Sequence, residues 1–131
     1  MKIAAITDDG ITISQHFGRA VQYAVFTVEN GQIVHRELRD KFGHQHFVGQ
    51  DAEHKPGEPH GFDAASQDKH ARMAASIADC QAVLCRGMGW GAYQSMEEAG
   101  IKPIVTDIAD IATAVKAYLT GTIVDHKELL H

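Results

Sequence analysis

The chain has 131 residues, of which 44% are apolar, 22% charged and only three proline. That fits one globular domain able to bury a core without staples, and it excludes a disordered or low-complexity chain. A formal net charge of -5 argues against a general nucleic-acid or membrane-surface binder, whose footprint is a basic face.

The two cysteines, Cys80 and Cys85, stand five apart without a second pair, which matches neither a disulfide framework nor a zinc ribbon. A reducing compartment, and so a cytoplasmic location, is expected. No charged-then-apolar leader opens the sequence and no apolar run approaches ~18 residues, so neither export nor membrane spanning is expected. The unusual number is nine histidines, several of them in one segment.

In chain order, residues 2–7 form an apolar run (Ile3, Ala4, Ala5, Ile6) suited to a strand buried on both faces, ended by Asp8-Asp9-Gly10. Residues 11–22 are irregular and contain Ser14-Gln15-His16-Phe17-Gly18-Arg19. Residues 23–28 and 32–38 flank Asn30-Gly31, a pair that accepts positive φ, so a β-hairpin is predicted. A polar loop follows, with His44, His46, His54 and His60 inside about residues 40–63; loops of this length in compact domains are functional or disordered.

Met73, Ala74, Ile77 and Ala78 recur at helical spacing, with Asp63 or Ser66 as cap. Residues 81–85 read as a strand and 92–99 as a helix stopped by Gly100-Ile101-Lys102-Pro103. A short strand at 104–106 leads to a helix over Ile108, Ile111, Ala112, Val115 and Leu119, capped by Asp107 or Asp110 and ended by Gly121. Residues 1–121 are read as one domain and 122–131 as a partly ordered tail.

Between the 81–85 strand and its helix lies Cys85-Arg86-Gly87-Met88-Gly89-Trp90-Gly91-Ala92. A glycine-lined turn into a helix exposes amides at the positive end of the helix dipole, and Arg86 adds fixed charge, so the turn can receive an anion. Tight helix-strand packing is the plainer explanation of the glycines.

The order strand, hairpin, helix, strand, helix, strand, helix implies a five-stranded mixed sheet between helices, its later part parallel with right-handed crossovers. If the second strand runs antiparallel to the first, the loops after strands one, three, four and five leave from the same edge. That edge gathers His16 and Arg19, the histidine loop, Arg86 with its glycines, and Asp107. Ligands of open α/β sheets bind at the carboxyl ends of strands.

Ile13-Ser14-Gln15-His16-Phe17-Gly18-Arg19-Ala20, the Cys85 to Tyr93 motif and Ala99-Gly100-Ile101-Lys102-Pro103 occur in this order, and together the chain resembles the dinitrogenase iron-molybdenum cofactor biosynthesis family over nearly its whole length. The resemblance implies a ribonuclease H-like three-layer α/β/α fold and a small non-enzymatic protein that binds or carries an iron-molybdenum or related metal-sulfur cofactor, with nitrogenase assembly proteins as partners. It carries over to His16, Phe17, Gly18 and Arg19 in the first motif and to Gly87, Gly89 and Gly91 in the second. His44, His46, His54 and His60 match the family's loop in kind but not in fixed spacing.

Chemically, such a cofactor is anionic and sulfide-covered, and wants positive charge, backbone donors and exchangeable ligands. Arg19, Arg86 and the glycine turn would supply the first two. Imidazole suits iron, and a thiolate at Cys85, its pKa lowered beside Arg86, would suit iron or molybdenum. The plainer readings stand beside these: His16 caps a turn, Arg19 pairs with Asp8 or Asp9 on the surface, the histidine loop is solvated, Cys80 and Cys85 are core, and Trp90 is either a lid or a packing residue.

Two other classes fit parts of the sequence. Gly87 to Ala92 reads G-x-G-x-x-A, with Asp107 at the next strand's end as a dinucleotide fingerprint places its ribose acid. A metal-dependent nuclease would need Asp8, Asp9 and Asp107 clustered around magnesium.

Overall fold

The computed structural model describes residues 1–41 and 64–130, with the backbone only for residues 64–68. Strands β1 (Lys2–Thr7), β2 (Gln22–Glu29) and β3 (Gln32–Asp40) are followed by α1 (Ala64–Ala75), β4 (Ala82–Cys85), α2 (Trp90–Glu98), β5 (Lys102–Val105), α3 (Ile111–Thr120) and a 3-10 turn at Lys127–Leu129. The five strands form one sheet in the order β3-β2-β1-β4-β5. β2 is antiparallel to both β1 and β3, whereas β4 is parallel to β1 and β5 to β4. The expected mixed sheet is therefore present, and β1, β3, β4 and β5 all point their carboxyl ends at one edge.

Burial follows from that order. β1 is central, and residues 3–7 are buried on both faces; β4 is buried at every position. β3, at the sheet edge, is exposed along most of its length, so it tolerates His35, Arg36 and Arg39 without strict alternation. The two crossovers from β1 to β4 and from β4 to β5 step in the same direction. Right-handedness puts α1 and α2 on the same face, where they pack together, and α3 adds Ile111, Ala114 and Val115 to the core.

Local chemistry ends the elements where the sequence placed its stops. Asn30 (φ 55°) and Gly31 (φ 76°) make the hairpin turn. Gly100 (φ 82°) closes α2, with the Ile101 amide donating back to the Met96 carbonyl at 2.9 Å. Of the two candidate caps for α3, Asp110 does the work, its carboxylate accepting from the Thr113 amide at 2.9 Å.

Several boundaries differ from the sequence reading: β5 already begins at Lys102, and α3 begins at Ile111 and leaves Ile108 outside it. α1 ends at Ala75, and Ile77 reaches the core from a tight turn in which it donates to the Ala74 carbonyl; the helical spacing of Ile77 and Ala78 was that of a turn with a similar repeat. Beyond Gly121 the chain returns to the sheet: Asp125 accepts from the Val105 amide at 2.9 Å, the His126 amide donates to the Val105 carbonyl at 2.7 Å, and Leu130 bridges to Met88. No helix among the described residues is long and apolar enough to cross a membrane.

Candidate functional site at the carboxyl edge of the sheet

The loop from β1 to β2 is built by its own carboxylates. Asp9 accepts from the amides of Thr12 and Ile11 at 2.7 and 2.8 Å, bonds that draw its pKa down to about 2. Thr7 ties the same turn through the Gly10 amide and the Thr12 carbonyl. Asp8 accepts from the Val21 amide at 3.1 Å. Both aspartates are thus occupied in shaping the loop, and neither forms an ion pair with Arg19.

The second half of this loop crosses to the glycine turn. The Phe17 amide donates to the Gly87 carbonyl at 3.2 Å, and the His16 carbonyl accepts from the amides of Arg19 and Ala20, both at 3.1 Å, closing a compact turn. Phe17 is buried beneath it, while His16, Gly18 and Arg19 are exposed. The crossing explains the first glycine of the second motif: a Cβ on Gly87 would stand 2.8 Å from the Gln15 carbonyl oxygen. The segments that carry His16, Arg19, Arg86 and Gly87 therefore meet at one rim.

From Gly87 the chain passes the buried Met88 to Gly89, the N-cap of α2, which offers no side-chain bond to the first-turn amides. Trp90 begins the helix 55% exposed, its ring edge-on to Tyr93 at 5.9 Å. Arg86 is partly exposed at the start of the turn. Among the described residues, neither Arg19 nor Arg86 has an ion-pair partner.

The match to known proteins agrees with the motifs. The family described as dinitrogenase iron-molybdenum cofactor matches residues 1–121. The chain belongs to this family. It is 29% identical over 113 residues to the FeMo cofactor biosynthesis protein NifB of Frankia alni, which covers 86% of this chain and 20% of that protein. It thus spans about a fifth of the length of the NifB proteins it matches. An uncharacterized protein of Methanocaldococcus jannaschii is 25% identical over 121 residues, covering 92% of this chain and 87% of the relative. The apo form of the orange protein from Desulfovibrio gigas shares the fold, with a TM-score of 0.64 at 20% identity over 96% of this chain and 92% of that one.

The remaining candidates of this family member divide by position. His44, His46, His54 and His60 lie outside the described residues. Cys85 lies inside the sheet, its thiol directed to the Ile104 carbonyl at 3.6 Å, and burial pushes it up to about 12. The expectation of a thiolate beside Arg86 is reversed, because desolvation in the strand interior, with a further push from Asp125, outweighs the bond from the Gly87 backbone that favours the thiolate. Cys80 is likewise buried and pushed up to about 12.

The two competing constellations are not assembled as their chemistry needs. Gly87 is required by the close approach of the Gln15 backbone, which accounts for this glycine without a bound pyrophosphate. Asp107 faces His126 at 3.6 Å, while Asp8 and Asp9 face backbone amides. Among the described residues no three histidine, cysteine or carboxylate side chains are grouped to hold a metal ion, so the aspartate cluster of a nuclease is absent there.

One residue of the rim was not singled out as a site residue by its sequence. Lys41, just past β3, is fully buried, with its amine bonded to the Phe17 carbonyl and 4.3 Å from the centre of the Phe17 ring. Burial, reinforced by the charge of Lys69 and opposed by Asp8, brings its pKa down to about 7. In sequence it was one polar residue in a polar stretch. The signal that could have found it is its place at the carboxyl end of a strand that shares the rim.

Proposed function

We propose that this protein is a non-catalytic binder of an iron-molybdenum or related metal-sulfur cofactor, or of its precursor, and that it serves as a carrier or assembly aid for nitrogenase cofactor synthesis in the cytoplasm. The observation that carries the reading is the joint between Phe17 and Gly87, which brings together two loops whose arginines have no ion-pair partner among the described residues. Family membership supplies the class of ligand, and the names of the NifB relatives support a place in FeMo cofactor biosynthesis.

The donor set suits a guest that must later leave. Arg19, Arg86 and the first-turn amides of α2 would hold an anionic, sulfide-covered body by charge-assisted hydrogen bonds. His16, exposed on its turn, is the exchangeable imidazole. Both cysteines are buried and protonated at neutral pH, so the grip does not depend on a thiolate cage of the kind that fixes ordinary iron-sulfur clusters.

The test is anaerobic. Protein mixed with isolated iron-molybdenum cofactor and passed through a desalting column should emerge coloured, with near-stoichiometric molybdenum. Arg19→Ala and Arg86→Ala should each lower retention by roughly tenfold, the scale of one charge-assisted hydrogen bond. Colourless wild-type protein would defeat the reading.

A further inference from the structure

Lys41 is tied on three sides. Its amide donates to the Val21 carbonyl at 3.0 Å, where β2 begins, and its carbonyl accepts from the Ser76 hydroxyl at 2.8 Å, beyond the end of α1. Its side chain runs inward to the Phe17 carbonyl and the face of the Phe17 ring. Phe17 in turn donates its amide to Gly87 and packs 6.5 Å from the Tyr23 ring. One amine therefore sits behind the turn that joins the two motifs. Among the described residues no carboxylate is within ion-pair distance of it.

A buried ammonium without a carboxylate is unusual, since desolvation makes the charge costly. Among the described residues the cost is offset by a carbonyl dipole and a ring face, with a further contribution from Asp8. The carbonyl and the ring belong to one residue, Phe17, so the charge acts directly on the turn.

We propose that Lys41 is a positioning residue for the rim: through the Phe17 carbonyl and ring, its protonated amine holds the turn at residues 16–19 against Gly87, and loss of the proton loosens that turn's grip on an anionic ligand. The titratable groups that interact with it among the described residues are Asp8 after β1 and Lys69 and His70 on α1, while the phenol of Tyr23 in β2, beyond the Phe17 ring, is neutral and donates to the Met73 carbonyl. Asp8 favours the ammonium, whereas Lys69 opposes it. The amine titrates near 7, within the range where a cell can use it. The identity of the ligand rests on the cofactor reading above, but the hold on the turn does not.

Two measurements separate the claims. In the first, retention of isolated iron-molybdenum cofactor is followed from about pH 6 to about pH 8.5 in wild type, Lys41→Met and Lys41→Arg. Wild-type retention should fall roughly tenfold relative to Lys41→Arg, whose charge persists, while Lys41→Met stays low and flat. A Lys41→Met protein that tracks the wild-type curve overturns the proposal. In the second, the amide resonances of Gly18 and Arg19 are titrated without ligand in a His16→Gln background, which removes the ionisable side chain of the same turn. They should move near neutrality with Lys41 present and stay still in Lys41→Met, with β1 and β4 resonances reporting that the variant is folded. Equal movement in both proteins overturns the proposal. Absence of retention in wild type at every pH defeats the cofactor reading instead, and the amide titration then decides Lys41 by itself.

Discussion

At the turn after α1, Asp79 collects cations: Arg39 approaches it at 2.7 and 2.9 Å while also bonding Glu37 at 3.1 Å, and Lys2 completes the cluster at 3.3 Å. The pairing holds the Asp79 and Glu37 carboxyls below the usual carboxylate range and raises the Arg39 pKa. At the carboxyl edge of the sheet, Arg19 and Arg86 have no such carboxylates among the described residues, and the ammonium of Lys41 is buried against Phe17. Charge at Asp79 is neutralised by the fold itself and serves to pin β3 to the turn before β4. Charge at the rim is left without a carboxylate partner among the described residues. In a protein with a net charge of -5, two arginines on joined loops without an ion-pair partner among the described residues are the contrast on which the proposed site rests.

The joint itself gives the largest expected effect. Gly87→Ala forces a methyl group to 2.8 Å from the Gln15 carbonyl oxygen, a backbone atom that cannot swing away. It should lower stability by about 1–3 kcal/mol in denaturant melts, the usual range for overpacking. A Gly87→Ala protein as stable as wild type would mean that the two rim loops are not held together as described.

Lys41 comes next and has a definite sign. Its folded pKa of about 7 lies below its ordinary value of 10.5, so the unfolded chain binds more protons in between, and stability rises with pH there. Between about pH 7 and about pH 8.5 the gain should approach roughly 2 kcal/mol, and Lys41→Met should lose that slope. Parallel pH profiles for the two proteins would contradict the burial of this charge.

Smaller effects sharpen the contrast between the two regions. Arg39→Ala should cost about 1 kcal/mol of stability, because its partners are partly exposed, and should leave cofactor retention unchanged. Arg19→Ala and Arg86→Ala should do the reverse, shifting stability by less than about 0.5 kcal/mol. Acid has its own signature in the loop. Asp9, held down to about 2, lends its bonds fully above the ordinary carboxylate range and loses them as pH falls through 2, so Asp9→Asn should flatten acid unfolding there.

What the sequence disclosed follows the range of the forces involved. The apolar run of β1, Asn30-Gly31, Gly100 and Asp110 each act within a few residues, so the hairpin, the stop of α2 and the cap of α3 were legible from composition and spacing. The shared rim was legible too, because strand order and handedness admit few alternatives. Cys85 was misjudged in one respect: its neighbour Arg86 is adjacent in sequence, yet the thiol responds to the sheet around it. Lys41 and the return of Asp125 and His126 to β5 depend on partners 24 and 20 residues away or more. Nothing local announces such contacts. Arg39 and Arg19 look alike in sequence, and only the 40-residue separation of Arg39 from Asp79 explains why one is matched.

The most direct test compares retention of isolated iron-molybdenum cofactor by three anaerobic proteins: wild type, the Arg19→Ala/Arg86→Ala double variant, and Arg39→Ala. Wild type and Arg39→Ala should both leave the desalting column with molybdenum near stoichiometry, and the double variant should leave nearly bare while still folded. Equal loading of all three, or loss of metal on Arg39→Ala but not on the double variant, would contradict the assignment of the rim as the place where the guest is held.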